Sequence, residues 1–216
     1  MNKRFRDRAE AGKLLAQQLL DYAERPQAIV LALPRGGVPV AHPIAQTLQV
    51  PLDICLVHKL GIPRNPEVAM GAIDLQGNKY LNERIVRELD ISMATIDRIA
   101  ANELRELQRR ERTYRGNRPA VDLRDRIAIV VDDGLATGAT MRAAIEAIRR
   151  QQPAQMTIAV PVAFQGTIDR LRASVDRIVC LMMPEPFEAI GCWYDNFSQT
   201  TDAEVCAALQ ESGVNG

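Results

Sequence analysis

The sequence predicts an α/β fold in which a doubly wound, mainly parallel sheet carries helices on both faces. Short apolar runs without charged residues alternate along the chain with segments whose apolar residues recur every three or four positions. The apolar runs have the composition of strands that are buried on both faces of a parallel sheet. Polar loops that contain glycine follow several of these runs, at the edge where such sheets bind ligands.

The composition is that of an ordinary globular protein, with 216 residues, 47% hydrophobic and 25% charged. We expect one domain over 1–216, with a helical insert over about 82–117 and a small hood over about 183–216. The formal net charge of zero argues against a nucleic-acid-binding surface. No apolar run reaches 18 residues and the N-terminus is polar, so we expect a cytoplasmic protein without a membrane span. Four cysteines without a C-x-x-C pair argue against a zinc site.

Apolar and β-branched composition predicts seven strands, over residues 28–33, 52–57, 70–74, 79–81, 127–131, 156–162 and 178–182. Pro161 interrupts the sixth of these, and we expect the chain to turn out of the sheet there. Residues 58–67 contain two prolines and a glycine, which predicts a long loop.

Helical periodicity predicts helices over residues 7–23, 38–48, 92–115, 139–150, 167–173 and 202–209, with a helical pattern starting already at Asn82. Asp7 and Ser92 are expected to cap the first and third helices, and Pro39 is tolerated in a first turn. One face of the third helix is expected to carry Met93, Ile96, Ile99, Ala100, Leu104 and Leu107. Its arginines at 109, 110 and 112 alternate with acids, which favours a solvated face or a homodimer contact over an RNA surface.

The most informative stretch covers residues 127–140 and has the sequence IAIVVDDGLATGAT. A buried strand ends at Asp132 and Asp133, a loop of small residues and hydroxyls follows, and a helix begins near Ala139. Backbone N–H groups at a helix N-terminus hold a phosphate group well. The two carboxylates accept hydrogen bonds from vicinal hydroxyls or help to hold Mg²⁺. A phosphate site beside two acids is a site for a ribose phosphate.

Three other interpretations of this stretch have different requirements. An ordinary helix-capping turn stays open. A nucleoside-triphosphatase loop needs G-x-x-x-x-G-K-[ST], but the one Gly-Lys pair, Gly12-Lys13, is followed by Leu14. A Rossmann dinucleotide site needs G-x-G-x-x-G after the first strand, and that pattern is missing.

The segment VVDDGLATGAT closely resembles the phosphoribosyl-pyrophosphate (PRPP) signature of type I phosphoribosyltransferases. The resemblance implies catalytic roles for Asp132 and Asp133, which receive the ribose diol and hold Mg²⁺ directly or through water. It implies that the 5′-phosphate lies on Ala136, Thr137, Gly138, Ala139 and Thr140. The chain departs from the family at Gly134, where an apolar residue is usual. Ala136 stands where the 6-oxopurine enzymes usually carry an aspartate as proton acceptor; the adenine and orotate enzymes, like this chain, do not. This argues against a hypoxanthine or guanine acceptor and leaves the general base unassigned.

Two further segments match positions of that family. Arg35, Gly36 and Gly37 follow the first strand, where the family places its diphosphate loop; a glycine turn with an arginine suits phosphate oxygens, although such a turn can be only a turn. Lys59 lies where the family carries a mobile catalytic loop, and we expect it to meet the leaving diphosphate. In that loop His58 is a candidate base or a structural histidine, Arg64 a ligand or a solvated charge, and Glu67 an open acid–base candidate.

Four of the chain's aromatic residues fall between residues 187 and 197, in loop-like sequence. In this fold the C-terminal segment often forms a hood whose aromatic ring stacks on the acceptor base, and Phe187 and Trp193 are the stacking candidates. The alternative is that these rings fasten the tail to the body of the protein.

The resemblance therefore implies a cytoplasmic, Mg²⁺-dependent transferase that moves the phosphoribosyl group from PRPP to a nucleobase-like nitrogenous acceptor and releases diphosphate. Two other functions stay open: a regulator that senses PRPP or a nucleotide without turnover, and a hydrolase that uses water as the acceptor.

Overall fold

The computed structural model describes residues 4–116 and 118–212, without the side chains of residues 66 and 67. The elements in chain order are α1 Arg8–Gln17, β1 Ala28–Ala32, α2 Val38–Leu48, β2 Leu52–Ile54, β3 Val57–Ile62, β4 Asn65–Asp74, β5 Lys79–Leu81, α3 Glu83–Glu88, α4 Met93–Arg115, β6 Ile127–Val131, α5 Ala139–Arg149, β7 Gln155–Val162, α6 Gln165–Leu171, β8 Arg177–Met182 and α7 Asp202–Glu211. Short 3₁₀ turns lie at Leu20–Tyr22, Arg172–Ser174 and Ile190–Trp193.

Five strands form a parallel sheet in the order β2-β1-β6-β7-β8. From β1 the chain passes to β2 on one side, whereas β6, β7 and β8 follow one another on the other side. The direction of the strand order therefore reverses between β1 and β6. Loops that leave the carboxyl ends of two such strands diverge and create a crevice, which is where open α/β sheets bind their ligands.

Helices cover both faces of this sheet, as the sequence predicts. Val30 and Ile129 belong to one core, which also contains apolar residues of α1, α2, α4 and α7. Ile29 and Val130 point to the opposite face and pack with residues of α5 and α6. The alternation along each strand follows from the two-residue period of side chains in a strand. The α/β fold class with a mainly parallel sheet is confirmed.

Helix boundaries follow from local capping. The Asp7 side chain accepts a hydrogen bond from the amide of Glu10 at 2.8 Å, and the Ser92 hydroxyl accepts one from Thr95 at 3.3 Å. Both predicted caps are confirmed, and they satisfy amides that have no partner within the helix. The first helix is shorter than predicted, because α1 ends at Gln17 and a 3₁₀ turn follows.

The predicted loop over residues 58–67 is wrong, because β3 and β4 form an antiparallel hairpin, which β5 extends to a three-stranded sheet. The pairing register slips twice near the tip, from Leu60↔Gly71 to Gly61↔Ala69 and then to Ile62↔Asn65. Such irregular pairing accommodates prolines that a regular ladder would exclude.

The expected turn out of the sheet at Pro161 is also wrong, since Val160 and Val162 on either side of it stay paired with β8. On the apolar face of α4, Ile96, Ala100 and Leu107 are buried, but Met93 is 54% exposed. The proposed limits of the insert and the hood stay predictions, and parts of both lie outside the described residues. In the described parts of the chain, every helix is too short or too polar to cross a membrane.

Candidate active site

The turn after β1 and the loop after β6 lie against each other at the crevice between these strands. The Leu33 amide donates to the carbonyl oxygen of Val131 at 2.9 Å. A Cβ atom added at Gly37 would lie 2.6 Å from the same oxygen, and one added at Gly36 would lie 2.1 Å from Oδ2 of Asp133. Neither position has room for a side chain, because the backbone of the turn packs directly on Val131 and Asp133. The two glycines therefore let the turn that contains Arg35 lie next to the acid pair.

The loop after β6 presents unpaired amides at the start of α5. Within residues 4–116 and 118–212, the amides of Ala136, Thr137, Gly138 and Thr140 donate no hydrogen bond to the protein, and that of Ala139 reaches only Oγ1 of Thr137, at 3.4 Å. Gly138 is the N-cap of α5 and has a φ of 73°, which favours glycine. Open amides at the start of an 11-residue helix suit an anion.

Thr167 supports this loop from α6. Its hydroxyl donates to the carbonyl oxygen of Ala136 at 2.5 Å, and its methyl group would lie 2.5 Å from a Cβ added at Gly138. The side chain is buried, and Arg170 donates to the same hydroxyl at 2.8 Å. Sequence reasoning missed this role, because a threonine in the first turn of a short helix carries no signal for a contact 31 residues away.

The structure separates the two acids that the sequence treats alike. Asp133 is 9% exposed, and its Oδ2 accepts a hydrogen bond from Nε of Arg8 at 2.8 Å. Arg8 also donates to the carbonyl oxygen of Ser198 at 2.8 Å and lies 3.8 Å from the ring centre of Phe197. The hydroxyl of Tyr194 donates to the Asp133 carbonyl at 2.6 Å, and burial raises the pKa of that tyrosine. Asp133 is thus charge-paired inside the protein.

Asp132 is half-buried, and its Oδ1 accepts a hydrogen bond from the amide of Asp133 at 2.9 Å. Burial and the neighbouring negative charge of Asp133 raise the pKa of Asp132 well above its ordinary value. A cation or a hydrogen-bond donor that arrives beside Asp132 would relieve this cost. Asp132 is the more exposed of the two acids.

The donor set fits a Mg²⁺ ion that a phosphate ligand brings with it. Among the described residues no three His, Cys, Asp or Glu side chains are grouped to hold a metal. Mg²⁺ commonly keeps several waters and binds through one or two carboxylates together with substrate phosphates. Asp132, with Asp133 behind it, would supply that share of the ligands.

Arg35 already has a partner in the structure. Its Nη1 lies 3.6 Å from Oδ1 of Asp202, at the start of α7. Asp202 also accepts a hydrogen bond from Tyr114 at 2.6 Å and one from Arg109 at 3.4 Å. These contacts, the tyrosine hydroxyl first, lower the pKa of Asp202, so the carboxylate stays charged beside Arg35. No local sequence pattern indicates this contact.

The hairpin residues occupy different places from those expected. Lys59 does not follow a strand but lies within β3 opposite Ala72, and its side chain is half-buried. Nδ1 of His58 lies 2.8 Å from Glu103 of α4, and desolvation lowers the pKa of this histidine, which favours the structural interpretation. Arg64 is exposed at the hairpin turn, and the side chain of Glu67 lies outside the described part of the structure.

The aromatic residues of the tail share one cluster. Phe187 and Trp193 both pack against a cluster that contains Phe5 and Tyr194, and the indole nitrogen of Trp193 is buried without a partner among the described residues. The ring of Phe187 also lies 6.1 Å from that of Phe164, two residues after the end of β7. The cluster fastens the tail to α1 and Asp133, as the alternative interpretation proposed.

The tail also accounts for the departure from the family pattern at Gly134. A Cβ atom at Gly134 would lie 2.6 Å from the Cγ2 atom of Ile190 and 3.1 Å from Val162. Ile190, from a distant part of the chain, therefore fills the space that a side chain at position 134 would need.

Comparison with known proteins identifies the family of the chain. The model of the phosphoribosyl transferase domain matches residues 4–192. The chain belongs to this family. Two curated proteins of Mycobacterium tuberculosis, from strains CDC 1551 and H37Rv, are each 43% identical over 210 residues and are named "Putative phosphoribosyl transferase". The match covers 97% of this chain but 47% of each relative, so the chain spans about half the length of those relatives.

Solved structures with a similar fold are also known. The structure of TT1426 from Thermus thermophilus has a TM-score of 0.85 and 40% identity, and the match covers 97% of this chain and 99% of that one. AQ2163 from Aquifex aeolicus has a TM-score of 0.53 and 12% identity, covering 85% of this chain and 78% of that one. The segment with Asp202 and α7 lies beyond the residues that the family model matches.

Proposed function

We propose that this member of the family transfers the 5-phosphoribosyl group from PRPP to a nitrogenous, nucleobase-like acceptor and releases diphosphate. The observation that carries the proposal is the meeting of two loops at the crevice between β1 and β6. One loop offers unpaired amides at a helix N-terminus, and the other brings Gly36 against the acid Asp133, next to Arg35, whose side chain is paired with Asp202. Open amides on one loop and an arginine on the other suit a sugar that bears a phosphate at one end and a diphosphate at the other.

In this proposal each loop binds one end of PRPP. The 5′-phosphate lies on the amides and hydroxyls of residues 136–140, which Thr167 supports from below. The ribose diol meets Asp132, and Asp133 keeps the pair in place through Arg8. The diphosphate lies on Arg35, Gly36 and Gly37, with Lys59 approaching from the hairpin.

The reaction displaces diphosphate at the anomeric carbon. The lone pair of an acceptor nitrogen forms the new C–N bond while the C–O bond to diphosphate breaks, and diphosphate leaves with the bonding electrons. The proton of the acceptor nitrogen passes to solvent or to the released diphosphate. Mg²⁺, when bound, would neutralise charge on the diphosphate. The residues act by positioning and by stabilising charge, which contributes most in sites of this kind.

Several expectations from the sequence remain part of the proposal. Phe187 or Trp193 would stack on the acceptor from the tail, the protein would act in the cytoplasm, and residues 92–115 would supply the contact of a homodimer. Each of these is separate from the assignment of the PRPP site.

The proposal is tested by calorimetric titration with PRPP and Mg²⁺, together with a diphosphate-release assay across a panel of nucleobases. We expect PRPP to bind and diphosphate to appear with at least one acceptor. Asp132→Asn and Asp133→Asn should each lower turnover at least tenfold, since one lost electrostatic contact costs about 10²–10³ in rate. Asp122→Asn, at an exposed position, serves as the control.

The outcomes separate the alternatives. Binding of PRPP without release for any acceptor would favour the sensor, and release without an acceptor would favour hydrolysis. An unchanged rate for Asp132→Asn and Asp133→Asn would remove the acid pair from the site, and no PRPP binding would refute the proposal.

A further inference from the structure

The support behind the loop after β6 ends in an arginine on α6. Nη2 of Arg170 donates a hydrogen bond to Oγ1 of Thr167 at 2.8 Å, and that hydroxyl donates to the carbonyl oxygen of Ala136 at 2.5 Å. Thr167 and Arg170 lie three residues apart on α6, so their side chains share one face of the helix. The three residues therefore form a chain of hydrogen bonds that runs from a surface cation to the loop proposed for the 5′-phosphate.

Backbone contacts hold α6 against this loop and give the chain of hydrogen bonds a fixed place. The Leu135 amide donates to the carbonyl oxygen of Val162 at 2.9 Å, and the Phe164 amide donates to that of Leu135 at 2.8 Å. The Thr167 amide in turn donates to the carbonyl oxygen of Phe164 at 2.9 Å. The start of α6 and the residue before the loop are therefore tied together at the end of β7.

The direction of the chain of hydrogen bonds follows from the groups that form it. A guanidinium group can only donate hydrogen bonds, and a carbonyl oxygen can only accept them. The single hydroxyl proton of Thr167 must therefore go to Ala136, while the hydroxyl oxygen accepts from Arg170. Each bond of such a chain polarises the next one, and a positive charge at one end strengthens the bonds. The carbonyl group of Ala136 is thus held towards α6.

Holding this carbonyl group also sets the direction of one amide of the loop. The Ala136 carbonyl and the Thr137 N–H belong to one peptide group, which is trans, so they point in opposite directions. With the carbonyl on the side of α6, the Thr137 N–H points away from that helix. Within residues 4–116 and 118–212 this amide donates to no protein group, and it is one of the open amides at the start of α5.

Arg170 carries its charge without an acidic partner among the described residues. The side chain is exposed, and its recorded hydrogen bond goes to a neutral hydroxyl. The neighbouring acid, Asp169, instead accepts a hydrogen bond from Gln165 at 2.9 Å. Because no carboxylate neutralises it, the charge of Arg170 is available to attract an anion that binds to the loop.

We propose that Arg170 is a positioning residue for the 5′-phosphate: through Thr167 it keeps the Thr137 N–H directed at the phosphate, and its charge strengthens that hydrogen bond. This inference rests on the proposed function and adds to it a residue outside the signature segment. Arg170 does not touch the ligand, because a hydroxyl and a peptide group lie between them. It contributes to the binding of the phosphate and not to the reaction at the anomeric carbon.

The test compares variants by calorimetric titration with ribose 5-phosphate. Arg170→Met keeps the apolar stem but removes the donor and the charge, so the affinity should fall about threefold, within the range for one hydrogen bond. Arg170→Lys keeps a charge and a donor, which is all that the single bond to Thr167 requires, and should restore most of the affinity. The matched control is Arg172→Met, which removes an exposed arginine from the turn after α6 and should leave the affinity unchanged.

Two further measurements separate positioning from a general effect on the fold. Adding Arg170→Met to Thr167→Val should cause little further loss of affinity, because the hydroxyl that transmits the effect is already missing. Arg170→Met should also leave the affinity for diphosphate with Mg²⁺ unchanged, because that ligand is assigned to the turn after β1. A loosened crevice would instead weaken both ligands.

Each outcome decides one of the two claims. If the unaltered protein binds no ribose 5-phosphate, the proposed function fails and this inference fails with it. If ribose 5-phosphate binds but Arg170→Met binds it equally well, or if Arg170→Lys is as weak as Arg170→Met, only the role of Arg170 is overturned. An equal loss for Arg172→Met, additive losses in the double variant, or an equal loss for diphosphate would overturn that role as well.

Discussion

The two loops of the crevice are prepared for ligands in opposite ways. The loop after β6 keeps its amides open, and its support comes from Thr167 behind it. In the turn after β1, Gly37 already donates to Leu33, and Arg35 is already paired with Asp202. Asp133, which lies between them, is held by Arg8. The loop after β6 therefore offers open amides, whereas a ligand that binds Arg35 must displace Asp202.

The largest effect is expected at the buried pair of Arg8 and Asp133. Arg8→Gln and Asp133→Asn each break this pair. Each variant should lower the free energy of unfolding by about 3–5 kcal/mol, because the remaining charge stays buried without its partner. The double variant should lose less than the sum of the single losses. Urea unfolding at neutral pH measures all three.

The control for this prediction is Arg6→Gln, which removes an exposed arginine paired with Asp7. Its unfolding midpoint should stay close to that of the unaltered protein, since exposed pairs contribute little. Additive losses in the double variant would mean that Arg8 does not act through Asp133.

A second prediction compares two glycines: Gly36, which packs against Asp133, and Gly134, which packs against Ile190 of the tail. Gly36→Ala places a methyl group against the Asp133 carboxylate, which cannot move without leaving Arg8. Overpacking of this kind costs about 1–3 kcal/mol, so the affinity for PRPP with Mg²⁺ should fall about tenfold or more. Gly134→Ala, which meets Ile190 instead, should lower stability but spare PRPP binding. Equal calorimetric affinities for the two variants would contradict the difference drawn between the loops.

Loss of the support that Thr167 gives to the loop after β6 should have a smaller effect on ligand affinity. Thr167→Val removes the hydrogen bond to the Ala136 carbonyl at nearly constant volume, which costs about 1 kcal/mol, so ribose 5-phosphate should bind about fivefold more weakly. Thr167→Ser keeps the hydroxyl and should bind nearly as well as the unaltered protein. If the serine variant is as weak as the valine variant, packing on Gly138 and not the hydrogen bond supports the loop.

The smallest effect is expected at Asp202. Asp202→Asn keeps an oxygen for Tyr114 but removes the charge that competes with diphosphate for Arg35. Because the pair is partly exposed, the gain is modest, and diphosphate should inhibit turnover about two- to threefold more strongly. Asp21→Asn, which breaks an exposed pair with Arg177, is the matched control. Weaker inhibition would show that Asp202 orients Arg35 rather than competing for it.

Local sequence signals were sufficient for the central part of this molecule. The charge-free runs at β1 and β6, the caps Asp7 and Ser92, and the small residues around Gly138 each act through neighbours in the chain, so their pattern is visible in the sequence. The fold class follows from the order of these elements. The assignment of ligand roles to particular residues stays a prediction until binding is measured.

The errors arose where long-range pairing outweighs local preference. The prolines at 63 and 66 predicted a loop, but β4 pairs with β5 as well as β3, and Pro63 falls in the two-residue turn between Ile62 and Asn65. The pairs Arg8–Asp133 and Arg35–Asp202 join residues more than a hundred positions apart. The sequence around an arginine does not indicate so distant a partner. For the same reason Thr167 and Phe164 were not recognised beside the loop.

The hydrogen bonds that hold Asp133 determine when its surroundings can be completed during synthesis of the chain. Arg8 leaves the ribosome almost two hundred residues before Tyr194 and Ser198, which complete its surroundings. Contacts of such high sequence separation form late because the intervening chain must be ordered first. A nascent chain that ends before residue 190 contains both loops but lacks the residues that complete the surroundings of Arg8 and Asp133. Under the proposed function, PRPP binding should therefore appear only after residues 190–198 have been made.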